Sequence, residues 1–146
     1  MPRRRPAQLR AAQPIEPRPG RKILQISGVS AATRRAIAEL ERTRLALGDI
    51  ADALDAWARF VRGPARTITD YEPEYDCCQS HDPVVQRRTL LRALHALPTE
   101  AARELRALVQ PLDDLYLTRS IPTPETAHIR RLLTGVVVEP TVPFPR

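Results

Sequence analysis

The longest regular pattern of apolar positions along the chain covers residues 30–62. Its stripe recurs every three or four residues, a spacing that places the side chains along one face of an α-helix. The positions of the stripe are Ala36, Leu40, Thr43, Leu47, Ile50, Leu54, Trp57 and Val61. Ser30 is a favourable N-cap, and Gly63-Pro64 ends the pattern. The spacing therefore predicts one long helix of ~32 residues, about 48 Å in length.

Three shorter helical patterns follow this helix. They cover residues 82–96, 99–115 and 123–135, with Asp82, Thr99 and Thr123 as the expected N-caps. Pro111 lies inside the second of these patterns, and we expect it to kink or divide the helix because it lacks a backbone N–H. The chain between residues 64 and 82 is expected to form the main loop.

Together these patterns predict an all-α fold, a small helical bundle built on one long N-terminal helix. Residues 1–22 are rich in proline and arginine, so we expect a disordered N-terminal arm. Residues 23–135 form the expected helical domain, in which residues 23–26 alternate as a short extended segment. Residues 136–146 are expected to form an extended, proline-rich C-terminal strap.

A helix of about 48 Å is longer than a small domain readily covers. We therefore expect this helix either to pack on the other helices along part of its length or to dimerise. Its stripe is the candidate surface for a protein partner or a second copy of the chain. The candidate partner-binding side chains are Leu40, Leu47, Ile50, Leu54 and Trp57 of the helix, with Tyr71 and Tyr75 of the following loop.

The net charge of +6 is confined to the arm. Residues 1–22 hold six arginines and Lys22 against Glu16, so the rest of the chain is neutral. The candidate phosphate contacts are Arg3, Arg4, Arg5 and Arg10, which would bind by releasing counterions from nucleic acid. The arm has no aromatic side chains on which bases could stack. Lys22 is the only lysine of the chain, a bias that a GC-rich coding sequence explains without phosphate recognition.

Cys77, Cys78 and His81 are the one cluster of metal-ligand type in the sequence. Zinc sites favour four ligands with two to four residues between paired cysteines, whereas these cysteines are adjacent. His95 or His128 would have to complete the set from elsewhere in the fold. A pair of reduced thiols beside a helix N-terminus is the alternative interpretation, and a metal- or redox-responsive factor is a third functional hypothesis.

The loop around residues 70–76 alternates carboxylates with other residues, a pattern that invites comparison with a calcium loop. Counted from Asp70, an EF-hand requires glycine at position 6 and glutamate at position 12. Tyr75 and His81 occupy these positions, which excludes that site. The loop remains an acidic segment carrying Tyr71 and Tyr75, suited to a basic partner surface or to the chain's own arginine arm. Solvated charge with two packing tyrosines is the alternative interpretation.

The sequence contains neither a nucleophile elbow nor a glycine-rich phosphate loop, so we expect no enzyme activity and no cofactor. It also has no apolar run of ~20 residues and no signal peptide. These features predict a soluble, cytoplasmic protein without a membrane partner. The leading hypothesis is a non-catalytic helical protein that binds another protein as an adaptor or small regulatory subunit.

Overall fold

A computed structural model describes residues 24–71 and 82–135 of the chain. The predictions for the disordered arm, for the strap and for most of the acidic loop lie outside these residues. In the described part, 77% of residues are helical and no strand is present, which confirms the all-α fold class. The helices are α1 Ala31–Arg44, α2 Asp49–Arg62, α3 Ala65–Thr69, α4 Pro83–Ala96, α5 Thr99–Arg119 and α6 Pro124–Thr134.

The prediction of one long helix over residues 30–62 is wrong, because the chain turns between α1 and α2. Leu45 is extended, with φ -129° and ψ -173°, and Gly48 is left-handed with φ 86°. The Asp49 carboxylate accepts a hydrogen bond of 2.9 Å from the Ala46 N–H, and the Asp49 N–H donates back to the Ala46 carbonyl. Glycine at a left-handed position costs no Cβ clash, which is why this short turn forms here.

Several predicted helix ends are confirmed. The Asp82 carboxylate accepts from the Val84 N–H at 2.8 Å, and Pro83 is the first residue of α4. Thr123 caps α6 in a reciprocal capping box with Thr126. Thr99, in contrast, is the first helical residue of α5, and Pro98 stands at the N-cap position.

Pro111 does not divide α5, which runs unbroken through it to Arg119. Pro111 and Ala107 both lie on the exposed face of the helix. Water can therefore hydrogen-bond to the Ala107 carbonyl, which lacks its usual donor at Pro111.

The core lies where α2 packs against α4 and α5, with α1 covering α5 from another side. Trp57 and Tyr116 are its largest fully buried side chains. The short helix α3, which the sequence pattern did not predict, adds the fully buried Ile68. No helix within residues 24–71 and 82–135 is long and apolar enough to cross a bilayer.

Candidate functional site

An apolar groove of about 400 Å³ lies between the first described residues, α1 and the start of α2. Its apolar lining consists of Leu24, Ile26, Ile37, Ala38, Leu47 and Ala51. Leu24 is 38% exposed and Leu47 is 36% exposed. They are two of the three exposed large apolar side chains in the described part of the chain, and the third, Ile121, lies elsewhere. Because two exposed apolar side chains share this depression, it is a candidate binding surface in the described part of the chain.

One face of α1 forms the floor of the groove. Arg34, Ile37, Ala38 and Glu41 line it at positions i, i+3, i+4 and i+7, the spacing that puts side chains on the same face of a helix. The Arg34 Nε donates to the Ile26 carbonyl at 3.3 Å, which holds the entering segment against this end of α1.

Glu41 lies at the other end of the groove floor and holds the adjacent turn. It is only 6% exposed, and its two carboxylate oxygens accept from the Gly48 N–H at 2.9 Å and the Ile50 N–H at 3.0 Å. These bonds hold the turn that carries Leu47 beside Glu41. The groove floor therefore has Arg34 at one end and Glu41 at the other, with Leu47 on the turn that Glu41 holds.

A buried ion pair lies in the core, between α4 and α5. Arg87 is 4% exposed and Asp113 is 3% exposed. The Arg87 Nε and Nη2 donate to the two Asp113 carboxylate oxygens at 2.9 and 2.7 Å, and the Trp57 indole N–H donates to Asp113 at 3.0 Å. Burial also raises the pKa of the neighbouring Tyr116 phenol, because desolvation disfavours its charged form. This cluster joins three helices within the core.

Other charged side chains bind the ends of distant helices. Glu104 of α5 accepts from the Ser30 backbone N–H at 2.6 Å and from the Ser30 hydroxyl at 2.9 Å, bonds that lower the pKa of the Glu104 carboxyl. Arg119 donates to the Val61 and Gly63 carbonyls at the C-terminus of α2. These side chains hydrogen-bond to backbone groups at helix ends that have no partner within the helix, so they stabilise the fold.

The predicted partner-binding residues of helix 30–62 are divided by the fold. Ile50 and Trp57 are fully buried, and Leu40 is 9% exposed, so all three pack inside their own chain. Leu54 is half-buried against the same core. Leu47 is the member of the set that lines the groove.

The remaining candidates lie apart from the groove or outside the described residues. Tyr71 packs its ring on Phe60, with centroids 5.7 Å apart, and its hydroxyl donates to the Asp82 carboxylate at 2.8 Å. Outside the described residues lie Tyr75, Cys77, Cys78 and His81, as well as Arg3, Arg4, Arg5 and Arg10. Among the residues that are described, no group of three or more side chains is arranged to hold a metal ion.

Sequence reasoning missed most of the groove, although Leu47 was among its candidates. The sequence pattern places Leu24 and Ile26 in a short extended segment, and Ala38 lies between the positions of the apolar stripe. The alternation of Leu24-Gln25-Ile26 ahead of an amphipathic helix was the available signal.

No family model, no curated protein and no solved structure matches this sequence.

Proposed function

We propose that this protein is a non-catalytic interaction module, a small adaptor or regulatory subunit, that binds apolar side chains of a partner in the α1–α2 groove. The observation that carries the proposal is the exposure of Leu24 and Leu47 in one depression. Full burial of an exposed leucine side chain is worth about 1.5–3 kcal/mol, and about a third of each of these leucines is exposed, so covering the pair would contribute on the order of 1–2 kcal/mol to binding. The proposal places the protein in the cytoplasm, the compartment that its sequence favours.

The hydrogen bonds of the two charged side chains in the groove support a binding role over a catalytic one. Both oxygens of Glu41 already accept backbone hydrogen bonds, and the Arg34 Nε is bound to the Ile26 carbonyl. A general acid or base needs a proton-transfer position facing its substrate. These two side chains instead hold the walls of the groove in place, while its apolar lining offers shape and hydrophobic area.

Site-specific photocrosslinking in cells tests this role. A photoreactive side chain in place of Leu47 should yield a discrete protein adduct, because it lies in the groove that the partner fills. The matched control carries the same group in place of Ala107, an exposed residue of α5 away from the groove. Adding Ala38→Arg should abolish the Leu47 adduct. Equal adducts at both positions, or none at Leu47, would contradict the proposal.

The charge of the arm supports a second candidate, a nucleic-acid-associated protein. All of the net charge of +6 lies within residues 1–22. Binding to phosphate by counterion release weakens steeply as salt concentration rises. We expect affinity for a random-sequence duplex to fall steeply with salt and to vanish in the triple variant Arg3→Ala, Arg4→Ala, Arg5→Ala. Salt-insensitive binding, or none, would exclude this function.

A further inference from the structure

We infer that the exposed face of α4 binds the phosphate backbone of a nucleic acid. The inference rests on the second candidate function, and it adds a contact surface in the folded part of the chain to the charge of the arm. What points to phosphate is a row of cationic side chains on a helix that contains no acidic residue.

Three exposed side chains form the basic face of α4. They are Arg88, Arg92 and His95, at positions i, i+4 and i+7 of the helix Pro83–Ala96. That spacing places them on one side of the helix, along ~10 Å of its axis. The opposite side of α4 packs against α2 and α5 in the core, so the basic face points to solvent.

The composition of α4 sets this face apart from the other arginine-bearing helices. α4 contains neither aspartate nor glutamate, whereas α1, α2, α5 and α6 each contain at least one acidic residue. A GC-rich coding sequence raises the arginine content of every helix, but it does not remove acidic residues from one of them. Coding bias therefore does not account for the basic face.

The arginines of the basic face are available to an external anion. Neither Arg88 nor Arg92 makes a hydrogen bond or an ion pair within the part of the chain that the structure describes. The exposed Arg103 of α5, in contrast, pairs with Glu100 on its own helix. Asp82, the acid next to α4 in the sequence, is 3% exposed and accepts hydrogen bonds from its own chain. A guanidinium offers five N–H donors and stays charged, so these two side chains suit phosphate oxygens.

A second basic region in the same chain favours a polymeric anion over a small one. Residues 1–22 carry the whole net charge of +6, and a segment of that length spans up to ~75 Å when fully extended. A domain the size of residues 24–135 has a radius of gyration of ~13 Å, so both regions can reach one polymer. A DNA duplex offers a negative charge every ~1.7 Å along its axis. It can therefore bind the arm and the basic face together, which a single small anion cannot.

The salt dependence of affinity tests the inference. The full chain and its variants are titrated with a fluorescently labelled random-sequence DNA duplex at several salt concentrations. Each phosphate contact contributes ~0.9 to the slope of log affinity against log salt concentration. The double variant Arg88→Gln, Arg92→Gln should therefore lower the slope by ~2 and weaken binding at ~0.1 M salt at least ~10-fold. The double variant Arg88→Lys, Arg92→Lys should retain the slope, because this contact requires the charge.

The double variant Arg42→Gln, Arg103→Gln is the matched control. It removes the same two positive charges from the chain, but each of these arginines already pairs with a glutamate on its own helix. Its slope should change by less than the ~0.9 of a single phosphate contact. All of the substituted side chains are exposed, so the far-ultraviolet circular dichroism spectrum should be the same for every variant.

Site-directed photocrosslinking locates the contact. In a Cys77→Ser, Cys78→Ser background, a photoreactive maleimide on Ala96→Cys, next to His95, should crosslink to the duplex. The same group on Ala107→Cys, on the exposed side of α5, should crosslink much less.

An unchanged slope for the Arg88→Gln, Arg92→Gln variant, or equal crosslinking at the two positions, would overturn the inference. If the slope depends instead on Arg3, Arg4 and Arg5 alone, the nucleic-acid function survives through the arm. No binding of the duplex by the full chain at low salt would exclude that function and the inference together. If polyglutamate binds through the basic face and the duplex does not, the face binds an acidic protein segment and the inference is wrong.

Discussion

Asp113 holds together the buried ion pair of the core. Its carboxylate binds Arg87 through two hydrogen bonds and Trp57 through a third. Asp113→Ala leaves the Arg87 guanidinium buried without a counter-charge, and losing one partner of such a pair costs about 3–5 kcal/mol. We expect urea denaturation to show a loss of this size in the free energy of unfolding.

The next residue in the sequence provides the control. Asp114 is exposed and accepts a hydrogen bond of 2.9 Å from Gln110, one turn earlier. Asp114→Ala should change the free energy of unfolding by no more than ~0.5 kcal/mol, as expected for a surface substitution. Equal losses in the free energy of unfolding for the two variants would show that the buried ion pair contributes no more to stability than a surface aspartate.

Glu104 predicts how stability responds to acid. Its hydrogen bonds from the Ser30 backbone and hydroxyl hold the pKa of the Glu104 carboxyl below the usual glutamate value of about 4.3. A carboxyl with a lowered pKa in the folded state stabilises the fold above its unfolded pKa, and this contribution is lost as the pH falls through the folded value.

We expect Glu104→Gln to flatten the dependence of the unfolding midpoint on pH in this acid range. Glu100→Gln is the control, because Glu100 is on the same helix and, among the described residues, pairs with the exposed Arg103. The measurement is thermal unfolding followed by circular dichroism between about pH 2 and pH 7, a span that brackets the ordinary titration of glutamate. Identical pH profiles for Glu104→Gln and the unmodified protein would contradict the assignment.

At the residue scale, the sequence predicts local caps and misses distant ones. The sequence predicts N-caps at Ser30, Asp82 and Thr123, because such side chains can bind backbone groups two or three residues away. The structure shows these three hydrogen bonds. The bond from Glu104 to Ser30 spans 74 positions. No local pattern encodes such a pair, since it exists only after α1 and α5 have packed together.

At the scale of the elements, the turn between α1 and α2 depends on Glu41. Its carboxylate satisfies the buried N–H groups of Gly48 and Ile50. Glu41→Ala leaves both donors without a partner, and each unsatisfied buried group costs about 1–3 kcal/mol. We expect a clear loss in the free energy of unfolding by urea denaturation.

Glu39 on the same helix is the matched control for Glu41. It is exposed and forms a surface pair with Arg42, an interaction worth at most ~1 kcal/mol. Glu39→Ala should therefore be nearly neutral. If Glu41→Ala is equally neutral, the turn does not rely on the glutamate cap.

The same turn explains why the periodicity of the sequence predicted a single helix. The interruption covers the four residues 45–48, close to the 3.6 residues of one helical turn. The apolar stripe therefore stays in phase across the break, and periodicity alone cannot reveal it. Because the chain turns, α2 packs against α4 and α5, which is why Ile50 and Trp57 belong to the core of their own chain.

At the scale of the whole molecule, the groove illustrates what a sequence pattern cannot specify. The all-α class and most helix boundaries follow from apolar spacing and capping residues. The groove instead combines residues 24–26, one face of α1 and the turn before α2. Leu24 and Leu47 line one depression in a structure where Gly48 is left-handed and Arg34 binds the Ile26 carbonyl, and neither feature follows from the apolar spacing.

The extent of the folding unit gives the last prediction. The buried apolar residues of the described part run from Ile26 to Ile129, so a fragment of residues 24–135 should retain this core. We expect its melting temperature to lie within ~4–8 °C of the full chain, a shift equivalent to ~1 kcal/mol. A fragment of residues 49–135 lacks the Glu41 cap and the packing of α1 on α5, and should lose cooperative unfolding in calorimetry. If the two fragments have the same melting behaviour, α1 does not stabilise the core. The groove would then be formed by a helix on which the folding of the core does not depend.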